Sequence, residues 1–151
     1  MDHVAIMRKS WGLLGKILTG EKTIESRWYL TKHLPWDRIK KGDVVYFKDS
    51  GALVSARATV ERVEQFSDLT PKRVRALIRT YAAADGIELH DVSLYVDRFR
   101  EKKYCILIFL KNPQPVAPFE INKKGFGAQA AWISVPRITN IKKAPKKHGK
   151  L

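Results

Sequence analysis

A short charged segment of the chain holds the side chains best suited to binding or catalysis. It runs from Gly20 to Trp28 and places Lys22, Glu25 and Arg27 within six positions. On a strand alternate residues share a face, so Glu25 and Arg27 lie together on one side and Trp28 lies on the other. Three charges on such a strand can form a partly buried ionic cluster, and such clusters often mark a site. The same spacing also fits a strand face that is exposed to solvent.

This cluster favours recognition of a phosphate group or a nucleobase. Lys22 and Arg27 are expected to meet phosphate or a base edge, while Glu25 orients them or accepts a hydrogen bond from an exocyclic amine. For catalysis, Lys22 would act as a general base only if burial or Arg27 lowered its pKa, and Glu25 opposes that shift.

Four aromatic residues are candidates to stack on a base. Trp28 belongs to the charged segment, and Phe126 lies between two glycines in a polar loop. Trp11 and Tyr29 are the other two candidates, although a tryptophan on the apolar face of a helix, such as Trp11, is more often a core residue than a stacking platform.

Other catalytic and metal-binding patterns are missing from the sequence. The four histidines show no spacing that groups them, and Cys105 is the single cysteine, so neither a zinc site nor any other metal or cofactor is predicted. The sequence contains no Gly-x-x-x-x-Gly-Lys phosphate loop and no Gly-x-Ser-x-Gly motif.

The hydrophobic pattern and the capping residues predict the elements that must position these side chains. Ser10 is expected to cap the first helix, Gly20 to end it, and Thr70-Pro71 to open the second helix. The prolines at 113, 115 and 118 are expected to exclude a strand ladder there. In chain order the pattern predicts a strand at 2–8, a helix over 11–18, strands at 23–30, 44–48 and 52–63, a helix from 71 to about 85, a shorter helix over 90–99, a buried strand at 104–111, and late strands at 119–121 and 132–135.

These elements predict the class of fold. Five or six strands with short hairpins and two or three helices, one of them inserted between strands, indicate an α+β fold built on a small β-barrel. The domain is expected over residues 1–136. Residues 137–151 are expected to form a flexible basic tail, because they contain six lysines and arginines and no acid.

The net charge suggests a class of partner. The chain has 29 lysines and arginines against 15 acidic residues, a formal charge of +14, which favours binding to a polyanion such as nucleic acid. The tail either makes sequence-independent phosphate contacts or keeps the protein soluble.

No apolar run approaches the length of a membrane span, so none is expected. A single cysteine and an N-terminus without a signal-peptide pattern favour the cytoplasm, and no feature sets an oligomeric state.

The charged segment also resembles a known family. The pattern Gly-x-Lys-x-x-Glu-x-Arg matches at Gly20, Lys22, Glu25 and Arg27, after a helix with Trp11 and before a Lys-x-Gly-Asp-Val turn and strand at 40–44. It is similar to the ASCH domain, a family of the PUA-like superfamily of small β-barrels, over roughly residues 1–135. This resemblance implies a cleft around the motif that accepts RNA or a nucleotide-like ligand.

The same resemblance also implies two enzymatic activities for this chain. A small bacterial relative hydrolyses the acetyl amide of N4-acetylcytidine with the motif lysine, a threonine and a distant acidic residue. Here Glu25 occupies the threonine position, Thr23 stands two residues earlier, and the acidic partner falls near Asp85. Some family members also cleave RNA.

We therefore interpret the chain as an ASCH-like domain that binds RNA or a modified nucleoside. Its expected ligand-binding residues are those of the motif together with two aromatic residues: Gly20, Lys22, Glu25, Arg27, Trp28 and Phe126. One alternative is a hydrolase of nucleosides or RNA with Lys22, Glu25 and Asp85 as catalytic residues. Another is a protein-interaction module like those of coactivator relatives.

Overall fold

The computed structural model describes residues 1–145, which contain six strands and three α-helices. The strands are β1 (Asp2–Met7), β2 (Ile24–Tyr29), β3 (Val44–Asp49), β4 (Val54–Phe66), β5 (Tyr104–Phe119) and β6 (Trp132–Val135), and the helices are α1 (Leu13–Thr19), α2 (Pro71–Tyr81) and α3 (Val92–Phe99). Single 3-10 turns occupy Lys9–Trp11, Leu89–Asp91 and Ile138–Asn140. None of the helices within residues 1–145 is long and apolar enough to cross a membrane.

The six strands form one curled sheet in the order β2-β5-β4-β3-β1-β6. β1 and β3 are parallel, and the other neighbouring strands are antiparallel. The two ends of the sheet approach each other, since Arg27 on β2 donates to the carbonyl oxygen of Ala131, just before β6, at 3.2 Å. The result is a half-barrel with three helices, and the predicted α+β, PUA-like fold is confirmed.

The core fills both faces of this sheet. Inside the curl, strand residues pack against Leu13 and Ile17 of α1; they include Ala5, Val45, Phe47, Ala58, Val60, Ile106 and Ile108. On the outer face of β2 and β5, α2 and α3 cover Cys105 and Leu107. The apolar run of β5 is therefore buried on both sides, as its continuous hydrophobicity predicts.

The prediction that prolines end the ladder of β5 is wrong. The strand continues through Pro113 and Pro115 to Phe119, paired with β4. β2 pairs only with residues 104–109, so the outer part of β5 has one strand partner, and a proline facing the open side removes no ladder bond. Three register shifts in the β4–β5 pairing absorb the remaining irregularity.

The two predicted helix starts have different outcomes. Thr70 caps α2 as expected, because its Oγ1 accepts a hydrogen bond from the Arg73 N–H at 3.2 Å. Ser10 does not cap α1. Lys9–Trp11 form a 3-10 turn, and α1 begins after Gly12, whose φ of 63° turns the chain in a left-handed conformation that glycine adopts without strain.

The folded part of the chain extends past the predicted boundary at residue 136. Ile138 and Ile141 are buried against the outer face of β1 and β3. The N–H of Ile138 donates to Asp2 Oδ2 at 2.7 Å, and that of Lys143 donates to the Glu120 carbonyl oxygen at 2.8 Å. Residues 138–143 are thus packed, and the predicted tail residues 146–151 lie outside the described part of the chain.

Candidate functional site

The ammonium group of Lys22 is the centre of a buried ionic network. The side chain is only 1% exposed. Its Nζ donates to the carbonyl oxygens of Ile24 and Asp85 at 2.7 and 2.8 Å, and it also donates to Asp85 Oδ1. Glu25 Oε1 lies 3.4 Å away. All donors of the ammonium group therefore face protein oxygens.

The turn that follows α2 places Asp85 beside the Lys22 ammonium group. After the helix, Ala84 offers its carbonyl oxygen to two N–H groups at the start of β2, at 2.8 and 3.1 Å. Gly86 has a φ of 78°, and a Cβ at that position would lie 3.2 Å from Lys22 Cβ. The turn after α2 thus requires glycine both for its backbone conformation and for space beside the lysine.

Arg27 links Glu25 to the opposite edge of the sheet. Its Nη2 lies 3.2 Å from Glu25 Oε2. Besides its hydrogen bond to Ala131, the guanidinium reaches the Ile6 carbonyl oxygen at 3.5 Å and lies 5.1 Å from the centre of the Trp132 ring. Arg27 therefore fastens β2 to β1 and to the start of β6, in addition to carrying charge.

Ser26 is a site residue that the sequence interpretation missed. Its hydroxyl donates to Asp85 Oδ2 at 2.6 Å and accepts from the Trp28 indole N–H at 3.1 Å. Alternation along β2 places Ser26 on the side of Ile24 and Trp28, which faces α2. Asp85, in the turn after α2, lies on that same side. A hydroxyl, a carboxylate and an ammonium group consequently lie in one hydrogen-bonded chain.

Three side chains of this network, Lys22, Glu25 and Asp85, have pKa values shifted by burial and by their charged neighbours. Burial alone would lower the pKa of Lys22, but Asp85 and Glu25 raise it above its ordinary value. Burial would raise the pKa of Glu25, but Lys22 and Arg27 hold it below its usual range. For Asp85, burial and the negative charge of Glu25 raise the pKa despite the nearby Lys22. Lys22 is thus held protonated, which does not suit a general base.

A cleft of about 270 Å³ opens beside this network, between β2, the turn before α1, and β1. Four aromatic residues, Trp11, Trp28, Tyr29 and Phe99, contribute to its walls, and its polar walls include Arg8, Glu25, Ser26, Arg27 and Lys102. Trp28 stacks on Phe99 with ring centres 5.4 Å apart. The volume is slightly below the usual range of about 300–1,000 Å³ for pockets that bind drug-sized ligands, so the cleft suits a single ring system such as a nucleobase.

Three solved structures of an ASCH protein from Zymomonas mobilis superpose on almost the whole chain. The unaltered protein is 14% identical, with 94% of this chain and 96% of that one covered and a TM-score of 0.65. A tyrosine-to-phenylalanine mutant of it is 16% identical, with 92% and 93% covered and a TM-score of 0.66. This chain has an ASCH-like fold. No family model and no curated protein matches the sequence.

Within the ASCH-like fold, the predicted site residues occupy three kinds of position. Glu25, Arg27 and Trp28 line the cleft. Lys22 and Asp85 lie behind it, so the ammonium group of Lys22 does not reach the cleft to meet phosphate or a base edge.

The other two predicted residues lie apart from the network. Gly20 ends α1 with a φ of 83° and is exposed. Phe126 lies in the loop between β5 and β6, 36% exposed, and is not among the residues that line the cleft. Within residues 1–145, no three His, Cys, Asp or Glu residues group closely enough to hold a metal ion.

Proposed function

We propose that this protein binds RNA, with one nucleobase held in the cleft beside β2. The observation that carries this proposal is the lining of the cleft, where aromatic rings stand next to an arginine and a carboxylate. Aromatic rings stack on the faces of bases, and charged side chains bond to their edges. The net charge of +14 supports the same class of ligand, because it attracts polyanions.

Trp11 is the aromatic residue best placed to stack on a base. It is partly buried, it lines the cleft, and Tyr95 supports its ring in an edge-on contact with centres 5.4 Å apart. Trp28 is buried and already stacked on Phe99, so it forms a fixed wall. The guanidinium groups of Arg8 and Arg98 lie over this ring, 5.1 and 5.0 Å from its centre, so a base that stacks on Trp11 displaces one of them.

Glu25 and Arg27 supply the polar contacts. Each carboxylate oxygen of Glu25 has one cationic partner, Lys22 or Arg27. A carboxylate has about four acceptor sites, so Glu25 retains capacity for an exocyclic amine of a base. The cations keep its pKa low, and the acceptor therefore stays charged at neutral pH.

A pair of tryptophan variants tests this proposal. Trp11→Leu removes the platform but keeps an apolar side chain, and Trp36→Leu is the matched control, because Trp36 is also partly buried and packs against Tyr104 instead of lining the cleft. Stacking contributes about 1–3 kcal/mol per base, so Trp11→Leu should weaken binding of a short single-stranded RNA at least about fivefold. Fluorescence anisotropy at about 0.2 M salt weakens nonspecific phosphate contacts and measures the difference.

An unchanged affinity in Trp11→Leu would contradict the proposal. RNA binding that disappears with salt and ignores both tryptophans would assign the affinity to the basic surface. In that case a protein-interaction module is the better interpretation of the fold.

A second candidate function rests on Ser26. In a hydrolase of an acylated nucleoside, the Ser26 hydroxyl would attack the acyl carbonyl while its proton passes to Asp85, whose raised pKa suits a proton acceptor. The acyl group would form an ester with Ser26 as the bond to the nucleoside nitrogen breaks, and Asp85 would return the proton to the leaving amine. Water would then hydrolyse the ester, which releases the acid and restores the Ser26 hydroxyl. Ser26 lines the cleft and so meets the first requirement of such a nucleophile.

Product formation from N4-acetylcytidine tests this second function. Release of acetate and cytidine should be lost in Ser26→Ala and kept in Thr23→Ala, because the Thr23 side chain is exposed and lies on the other face of β2. Absence of product from the unaltered protein would exclude this substrate.

A further inference from the structure

A second cavity adjoins the cleft. It measures about 440 Å³ and shares Ile6, Met7, Arg8 and Ala131 with the cleft. Its remaining walls come from Ser50 and from the loop between β5 and β6 (residues 120–131), which contributes Lys123 and Ala128 to Ala130. The two cavities therefore lie side by side, and a ligand that occupies both would lie over these shared residues.

The two cavities differ in chemistry. The cleft has aromatic walls and the carboxylate of Glu25, whereas the second cavity has no aromatic and no acidic residue among those that line it. Arg8 and Lys123 give the second cavity two cations. Arg8 stands at the junction, with its guanidinium 5.1 Å from the centre of the Trp11 ring.

The cations around the second cavity lack partners of opposite charge. Within residues 1–145, neither Arg8, Lys123 nor the nearby Lys48 forms an ion pair with a carboxylate. Burial lowers the pKa of Lys48, and the positive charge of Lys123 lowers it further. Glu120 acts in the opposite direction but is already paired with Lys143 at 3.3 Å. An anion bound here would relieve the repulsion between these side chains.

In single-stranded RNA each nucleotide carries one base and is linked to its neighbour through a phosphate. The cleft suits the base, and the second cavity suits the phosphate. We propose that the second cavity binds the phosphate group next to the nucleotide whose base occupies the cleft, with Arg8 and Lys123 as its ligands. This inference rests on the proposed function and deepens it, because the ligand is then a phosphate-bearing nucleotide or RNA strand, and a free nucleoside binds only weakly.

Titrations of the full-length protein with three kinds of probe test this inference. The probes are the four ribonucleosides, their 3′- and 5′-monophosphates, and a random-sequence trinucleotide, each at about 0.2 M salt to limit nonspecific contacts. At least one monophosphate should bind roughly tenfold more tightly than its nucleoside, since charge-assisted hydrogen bonds to phosphate are strong. A trinucleotide that binds more tightly than either monophosphate identifies the phosphodiester of a strand as the source of the phosphate.

A matched pair of lysine variants locates the phosphate. Lys123→Ala should remove most of the gain from phosphate, leave nucleoside affinity unchanged, and reduce the salt dependence of trinucleotide binding by about one phosphate contact. Lys124→Ala removes the same charge from the adjacent, exposed position, which does not line the cavity, and should change affinity less than twofold.

The results of these titrations distinguish the phosphate site from the binding of a base in the cleft. Equal affinities for nucleosides and monophosphates, or equal effects of the two lysine variants, would overturn the phosphate site even if Trp11→Leu still weakens RNA binding. If Trp11→Leu leaves RNA binding intact while Lys123→Ala weakens it, the phosphate site stands and the base position in the cleft does not.

Discussion

For the individual residues around Lys22, the free-energy cost of burying charges opposes the free energy gained when those charges pair. Two cations, Lys22 and Arg27, face two carboxylates, Glu25 and Asp85, in a region from which water is largely excluded. Taking such charges out of water costs several kcal/mol per ion, and pairing offsets that cost only while every partner is present. Removal of one member therefore costs more stability than the whole network contributes.

The variant Lys22→Met tests this balance, because it keeps the length of the side chain and removes its charge. Two carboxylates then remain buried with only Arg27 nearby, and the free energy of unfolding should fall by about 3–5 kcal/mol. For a chain of this size the melting temperature should fall by roughly 6–20 °C. Thermal unfolding measures the change, with the exposed Lys124→Met as control. A melting temperature within 2 °C of the control would contradict burial of the ion pair.

His3 makes the stability of the protein depend on pH. The ring is wholly buried, Nε2 lies 2.8 Å from Asp43 Oδ2, and Nδ1 accepts the Trp132 indole N–H at 3.2 Å. Burial lowers the pKa of His3 below 6.5, although Asp43 acts in the opposite direction. The unfolded chain thus binds more protons than the folded chain as the pH falls through 6.5.

We expect the stability from neutral His3 to be complete above pH 6.5 and to be lost as the pH falls through the lowered pKa of the folded state. Its slope cannot exceed about 1.4 kcal/mol per pH unit for one proton. An NMR titration of the ring resonances should give a midpoint below 6.5. A midpoint at or above that value would show that Asp43 outweighs burial.

At the scale of elements, the curl of the sheet depends on a side chain as well as on strand pairing. β2 and β6 are the two edges of the sheet, and Arg27 joins them through the carbonyl oxygens of Ala131 and Ile6. Arginine suits this role because its planar guanidinium donates in several fixed directions at once, which a lysine cannot do.

Arg27→Lys should keep the charge beside Glu25 and lose part of this link. We expect a loss of about 1.5–3 kcal/mol in stability, the range for hydrogen bonds made by a charged group. Hydrogen exchange should be faster at the Ile6 amide, which donates to Ala131 in the same region, and unchanged at the Val60 amide, which donates to Asp43. Equal protection of the Ile6 amide in both proteins would show that strand pairing alone holds the edges together.

The sequence predicts those elements whose pattern is local. Alternation along β2 correctly puts Glu25 and Arg27 on one face, and Thr70 before Pro71 correctly starts α2. The full burial of Lys22 and the role of Ser26 do not follow from the local pattern, because both depend on Asp85, about sixty positions away, and on the turn after α2. Only the family resemblance implied an acidic partner near Asp85.

For the molecule as a whole, net charge and the cleft have separate roles. The positive charge attracts polyanions, and the cleft recognises a base that such a polyanion carries. Part of the excess positive charge lies on residues 137–151, of which 138–143 are packed against the sheet. Attraction by such a surface is independent of sequence and is strongly weakened by salt. Recognition in the cleft depends on stacking and hydrogen bonding, so it should persist at salt concentrations that remove the general attraction.

Binding of RNA in the cleft can be tested by NMR spectroscopy of the labelled full-length protein, titrated with a short single-stranded RNA at about 0.2 M salt. We expect the largest shifts at residues around the cleft, namely Trp11, Ser26, Arg27, Tyr29 and Ala131. Shifts confined to residues 137–151 or to the exposed face of α2, with the cleft resonances unmoved, would contradict it.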